Sequence, residues 1–126
     1  MMLTGKVKSG MGNLSYWMEK LHDLYAAKTG MSLYPGSLNI ELEDPFVLTD
    51  KTIRLEKEEY GGTVSLSMFP CKIFGRKAFI LRTDKNAAGS GHHPLNIIEV
   101  ISDVKLRDVY GLSDGDIVQV KLLDIN

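Results

Sequence analysis

Hydrophobic and polar residues alternate along much of this chain with a period of two, and the apolar runs are short. Leu38, Ile40 and Leu42 alternate with Asn39, Glu41 and Glu43, while Val64, Leu66 and Met68 alternate with Thr63, Ser65 and Ser67. A strand with one buried and one wet face has this signature. Leu3 to Lys8, Lys77 to Arg82, Asn96 to Ile101 and Ile117 to Leu123 complete a set of about six candidate strands. Two stretches have helical spacing instead. Within Ser15 to Lys28, Trp17, Leu21, Leu24 and Tyr25 fall at i, i+4, i+7 and i+8, with Ser15 placed to cap the helix and Gly30 to stop it. That stripe reads as core packing rather than as a cofactor box. Asp103 to Tyr110 gives a second, shorter helix, with Val104, Leu106 and Val109 apolar, Ser102 or Asp103 as its cap and Gly111 at its end. Asp114-Gly115 then signals a tight turn into the last strand. Many short strands with two short helices predict a mainly β fold, a compact barrel rather than a parallel α/β sheet. No repeat or linker divides the sequence, so residues 1–126 are expected to form one domain.

Composition narrows the function. A chain of 126 residues, 44% hydrophobic, can bury a real core. Fifteen Lys and Arg against sixteen Asp and Glu leave no net field for a nucleic-acid backbone or an anionic membrane surface, so neither partner is expected. No apolar run approaches the roughly 20 residues of a spanning helix, and the first residues lack the apolar stretch of a secretory signal; a cytoplasmic location is expected. The single cysteine, Cys71, follows Pro70 in apolar surroundings with no nearby base, which predicts a buried, unreactive thiol.

Four segments could carry chemistry. Ser9-Gly10-Met11-Gly12-Asn13-Leu14-Ser15-Tyr16 lies between a strand and a helix, where glycines let backbone N–H groups approach a phosphate; an ordinary strand-to-helix turn would look the same, and neither a P-loop nor a full dinucleotide fingerprint is present. In Tyr34-Pro35-Gly36-Ser37-Leu38-Asn39, period two puts the Ser37 hydroxyl and the Asn39 amide on one face, two neutral hard oxygens suited to Mg²⁺, or else a turn serine and a solvent-facing asparagine. Glu99 is the one charge among Ile97, Ile98, Val100 and Ile101: pointing inward it needs donors that a ligand could supply, pointing outward it is an ordinary strand residue. It follows a small-residue loop, Gly89-Ser90-Gly91-His92-His93-Pro94, whose adjacent histidines point to opposite sides and make a poor metal pair. Lys105 and Arg107, within Val104-Lys105-Leu106-Arg107, could reach phosphate or a base edge, or form a solvated helix face.

Taken in order, these segments resemble the archaeal-type CTP-dependent riboflavin kinases. The resemblance rests on Gly5-Lys6-Val7-Lys8-Ser9-Gly10-Met11-Gly12, Tyr34-Pro35-Gly36-Ser37-Leu38-Asn39, Ile97-Ile98-Glu99-Val100-Ile101, Lys105-Leu106-Arg107 and Leu112-Ser113-Asp114-Gly115-Asp116-Ile117-Val118, five motifs in register over nearly the whole chain. It implies a small cradle-loop barrel that transfers the γ-phosphoryl of CTP to the ribityl 5′-hydroxyl of riboflavin, giving FMN and CDP with Mg²⁺ as cofactor. It assigns Gly10, Met11, Gly12, Asn13, Leu14, Ser15 and Tyr16, with Val104, Lys105, Leu106 and Arg107, to the nucleotide, and Ser37 and Asn39 to the metal. Ser90, Gly91 and Glu99 fall to the flavin, with Glu99 as the catalytic candidate. CTP and riboflavin are the expected partners, and a monomer is expected.

The chain departs from the family pattern in three places. Leu14 stands where a further glycine is usual, Ser37 replaces the commoner threonine, and the His-His-Pro loop differs from the usual flavin-side loop. These departures define the alternative: a non-catalytic flavin- or nucleotide-binding barrel, or a kinase for a different small alcohol.

Overall fold

The computed structural model describes residues 1–10, 13–48, 52–91 and 93–123. In chain order its strands are β1 (Met2–Lys8), β2 (Leu38–Leu42), β3 (Ile53–Leu55), β4 (Leu66–Ile73), β5 (Arg76–Thr83), β6 (Ile97–Ile101) and β7 (Ile117–Leu122). Its helices are α1 (Leu14–Lys20), α2 (His22–Thr29), α3 (Asp84–Ala87) and α4 (Leu106–Val109), with a 3-10 turn at Lys57–Glu59. Six strands pair antiparallel in the order β4, β5, β6, β2, β1, β7, and β7 returns to β4 to close the barrel. The six-stranded barrel expected from the alternation is therefore present, with β3 and two further helices added to it.

The closing strand explains why β4 runs past the expected Met68 and through a proline. One edge of β4 pairs with β5 along its whole length; on the other edge Leu66–Met68 meet β3 and Cys71–Ile73 meet β7. Pro70 sits between those two partners, and its carbonyl accepts from Leu123 N at 3.1 Å. The missing N–H thus faces the changeover between β3 and β7, where little ladder is lost. At the far end of β4 the two-residue turn Phe74-Gly75 has φ of 54° and 74°, the conformation that matches the twist of a hairpin and normally selects Asn-Gly. Phe74 is held there by stacking on Tyr110, with centroids 4.2 Å apart.

Alternation sorts the core into two layers. Val7, Ile40, Ile80, Val100, Val118 and Val120 point into the barrel with Cys71 and are fully or nearly fully buried. Burial pushes the Cys71 thiol up to about 12, as its apolar surroundings predict. The opposite faces of β4, β5 and β6 carry Met68, Phe79, Leu81 and Ile101, covered by Met18 of α1 and Tyr25 of α2. Asn39 and Glu99 lie on this outer, helix-covered side, because their neighbours Ile40, Ile98 and Val100 point inward.

The helices differ from expectation in their ends. The single helix expected over Ser15 to Lys28 breaks at Leu21 into α1 and α2, with Asn13 rather than Ser15 at its N-cap and Gly30 closing it as anticipated. Leu21 N still donates to Trp17 O and Tyr25 N to Leu21 O, so the apolar stripe stays on one side through the break. The second helix shrinks to Leu106–Val109 with Lys105 at its N-cap. Its expected caps are engaged elsewhere: Ser102 Oγ donates to Lys77 O at 2.7 Å, and Asp103 Oδ1 accepts from Arg76 Nη1 at 2.8 Å. Among the described residues no helix is long and apolar enough to cross a membrane.

Candidate functional site

β2 and β6 are neighbours, and their register sets Asn39 directly opposite Glu99. Ser37, just ahead of β2, donates from its hydroxyl to Glu99 Oε1 at 3.1 Å. The helix layer leaves Asn39 6% and Glu99 8% exposed. Burial pushes the Glu99 carboxyl above its ordinary range, against the pull of His93, the Ser37 hydrogen bond and the more distant Arg82. Arg82 is itself buried and holds the chain around β6: its guanidinium donates to the carbonyls of Phe46, Leu95 and Ile97. Asn39 Oδ1 is buried and has no hydrogen-bond partner among the described residues. An orphaned amide oxygen costs about 1–3 kcal/mol of desolvation, so its retention calls for a partner that arrives later.

Two cavities meet at this point. The smaller, about 270 Å³, is lined by Ser15, by Tyr34 to Leu38 and by Val104 to Arg107. The larger, about 530 Å³, runs between α1, α2 and the barrel. One wall is apolar and aromatic, made by Trp17, Leu21, Tyr25, Leu55 and Tyr60; the other end is polar, with Asn86, Ser90, Gly91, His93 and Glu99. Ser37 lines the smaller cavity and bonds Glu99 of the larger, so these two side chains form the shared boundary.

The cations of the smaller cavity differ in availability. Arg107 is turned to Asp114 and to the carbonyl of Lys8, and Asp114 also accepts from Ser9 Oγ at 2.6 Å. Those bonds hold the Asp114 carboxyl below its usual range, the Ser9 hydrogen bond first and Arg107 second. The turn before β7 therefore ties the glycine loop to α4. Among the described residues Lys105 reaches only Asp108, at 3.7 Å, and is half exposed; it is the freer charge for an anion.

Among the described residues no group of three or more His, Cys, Asp or Glu could hold a metal ion. A cation here would instead rest on neutral oxygens, and the donor set fits Mg²⁺ in that role. Asn39 Oδ1 is a hard oxygen without a partner among the described residues, and Ser37 Oγ, whose O–H is directed to Glu99, keeps its lone pairs free to accept.

A family model for CTP-dependent riboflavin kinases, also described as a domain of unknown function, DUF120, matches residues 7–122. The chain belongs to this family. It is 33% identical to a riboflavin kinase of Methanocella arvoryzae, over 95% of this chain and 56% of that protein. It is 32% identical to a riboflavin kinase of Pyrobaculum aerophilum, over 96% and 60%. A riboflavin kinase of Staphylothermus marinus is 27% identical over 97% of this chain and 92% of its own length. The chain thus spans little more than half the length of the first two relatives and nearly all of the third.

Of the positions that the family resemblance selects, Ser37, Asn39 and Glu99 converge, and Ser90 and Gly91 line the larger cavity with Glu99. Val104, Lys105, Leu106, Arg107 and Ser15 line the smaller one. Gly10 packs against the Asn39 amide. Asn13 and Leu14 line the larger cavity rather than the smaller one. Tyr16 is 57% exposed, with its ring edge-on to Trp17 and outside the residues lining either cavity, because it lies on the outer side of α1. Met11 and Gly12 lie outside the described residues.

Sequence reasoning passed over His93, Trp17, Tyr25 and Tyr60 as site residues. Of the stripe read as core, Leu21 and Tyr25 do pack on the barrel, yet both also wall the larger cavity, together with Trp17. The two aromatic residues one helical turn either side of Leu21 were a signal for such a wall. Tyr60, from a loop between β3 and β4, gave none.

Proposed function

We propose that this domain phosphorylates riboflavin at its ribityl 5′-hydroxyl with CTP as donor, forming FMN and CDP with Mg²⁺. The observation that carries this reading is the shared boundary of the two cavities, where Ser37 meets Glu99, with Asn39 beside Glu99 on the paired strand and its buried oxygen without a partner among the described residues. Phosphoryl transfer needs a donor phosphate and an acceptor hydroxyl held in line with the developing charge met by fixed groups, and little covalent work from the protein. The smaller cavity, lined by Lys105 and Arg107, suits the nucleotide. The larger has an aromatic wall suited to the flat isoalloxazine and a polar end suited to the polyhydroxyl chain.

With the ring against Trp17 and Tyr60, the ribityl chain runs toward Glu99, whose carboxylate accepts from a hydroxyl and orients it. Ser37 fixes that carboxylate by donating to Oε1. The metal would be held by Asn39 Oδ1 and Ser37 Oγ together with nucleotide phosphates, and supplies charge neutralisation to the transferring group. Glu99, in a site where burial already favours its neutral form, is suited to take up the hydroxyl proton as the bond to phosphorus forms.

The test is incubation with riboflavin, Mg²⁺ and, separately, CTP, ATP, GTP and UTP, with FMN resolved by chromatography under fluorescence detection. FMN with CTP alone, or far ahead of the others, is the expected result. No FMN with any donor would refute the kinase reading and leave a binding barrel, or a kinase for another alcohol.

A further inference from the structure

The loop that departs from the family pattern ends at the polar end of the larger cavity and aims a side chain into it. His93 Nε2 stands 3.8 Å from Glu99 Oε1, with only 13% of the imidazole and 11% of the carboxylate side chain exposed. That separation is too long for a direct hydrogen bond and short enough for one hydroxyl group to reach both atoms. The position is fixed from several directions. His93 N donates to Asn86 Oδ1 at 3.3 Å, Ser90 N to Lys85 O at 2.9 Å and Gly89 N to Asn86 O at 3.1 Å. Pro94 confines His93 to extended backbone.

We propose that His93 is the specificity-determining residue for the acceptor's hydroxyl chain. Its Nε2–H and the Glu99 carboxylate take a single hydroxyl between them, the imidazole donating to the hydroxyl oxygen and the carboxylate accepting the hydroxyl proton. A hydroxyl is the small group that donates and accepts at one atom, so the pair selects a polyol over a methyl or a carboxylate: a methyl leaves both groups unpaired, and a carboxylate meets Glu99 as a like charge. The aromatic wall contributes affinity for the ring without regard to the chain. This inference rests on the riboflavin reading above and assigns the discrimination within it to a residue outside the five motifs.

The experiment titrates wild-type protein, His93→Leu and His93→Gln with riboflavin and with lumiflavin, the same ring bearing a methyl in place of the ribityl chain, following flavin fluorescence. Circular dichroism establishes that each variant is folded. Wild type is expected to favour riboflavin. His93→Leu should lose about tenfold in riboflavin affinity and leave lumiflavin unchanged, while His93→Gln, which keeps an N–H donor, should lose no more than about threefold. A variant that loses both flavins equally acts through structure alone and overturns the proposal, as does undiminished riboflavin binding by His93→Leu. Wild type that binds both flavins equally overturns the proposal and spares the kinase reading; wild type that binds neither ends both.

Discussion

A Cβ on Gly10 would stand 2.1 Å from Asn39 Nδ2, so the segment leaving β1 lies directly on the amide whose oxygen is unpaired. Strand pairing brings them there, since Lys8 is the register partner of Asn39. Gly10→Ala should therefore displace the Asn39 side chain, which has buried neighbours on its other sides. The expected result is a fall in kcat on the order of tenfold to a hundredfold with the fold retained, measured by FMN formation and thermal melting. Full activity in a folded Gly10→Ala protein would show that the amide need not stay where it is.

Asn39→Ala separates function from stability in a different way. Among the described residues the Oδ1 atom makes no hydrogen bond that folding would lose, so the melting temperature should move little beyond the effect of the small void. Turnover should fall by roughly 10²-fold. The stabilisation that Mg²⁺ and CDP together give wild-type protein in a thermal-shift assay should shrink as well, and an unchanged shift would remove Asn39 from the metal site.

Glu99→Gln keeps the shape of the side chain and removes its ability to hold a negative charge. The Ser37 hydroxyl still finds a carbonyl oxygen to donate to, so the fold and CDP binding should survive. FMN formation should drop on the order of 10²-fold in kcat/KM for riboflavin. Steady-state kinetics with riboflavin varied at saturating CTP measures this, and wild-type values would move the acceptor away from Glu99.

A fourth expectation concerns the wall of the larger cavity. Arg54 of β3 pairs with Asp84 of α3 through two bonds of 2.7 and 2.9 Å and with Glu56 at 2.7 Å, clipping β3 to the end of β5. The Arg54 hydrogen bonds hold the Asp84 carboxyl below its ordinary range. A carboxyl lowered on folding stabilises the protein above its unfolded pKa, and that contribution is lost as the pH falls through the lower, folded value. Arg54→Leu should lower the melting temperature by roughly 2–4 °C at pH 7, with the difference from wild type narrowing as the pH falls below about 4. Melting curves from pH 7 to pH 3 check the sign; a difference that grows on acidification contradicts it.

Period-two alternation made Ser37 and Asn39 legible as residues of one face, because a strand fixes the side on which each side chain emerges. It did not say which face the helices cover, and so left open whether Glu99 was buried. The barrel was legible for the same reason, whereas β3, the 3-10 turn and α3 are too short to show a period. Helix ends were misjudged where a capping residue had a better partner across space, as Ser102 has in the Lys77 carbonyl. His93 was hidden by a different limitation. Its neighbour relation to Glu99 spans a loop whose path is set by Asn86, and neither spacing nor periodicity encodes that path.

The seam between β4 and β7 also bears on how the molecule assembles. β7 pairs with β1 along residues 2–6 and with β4 at residues 71–73, so it joins the first strand to the middle of the sequence. During synthesis β1 emerges more than a hundred residues ahead of its partner. Until β7 arrives, β1 and the distal half of β4 remain as two unprotected edges, and the apolar lining between them faces water. Such pairings of high contact order make closure slow, and the open sheet is the species most exposed to misassembly. Substitutions at Val118 and Val120 should therefore reduce the yield of soluble protein at elevated growth temperature more than their cost to the finished barrel accounts for.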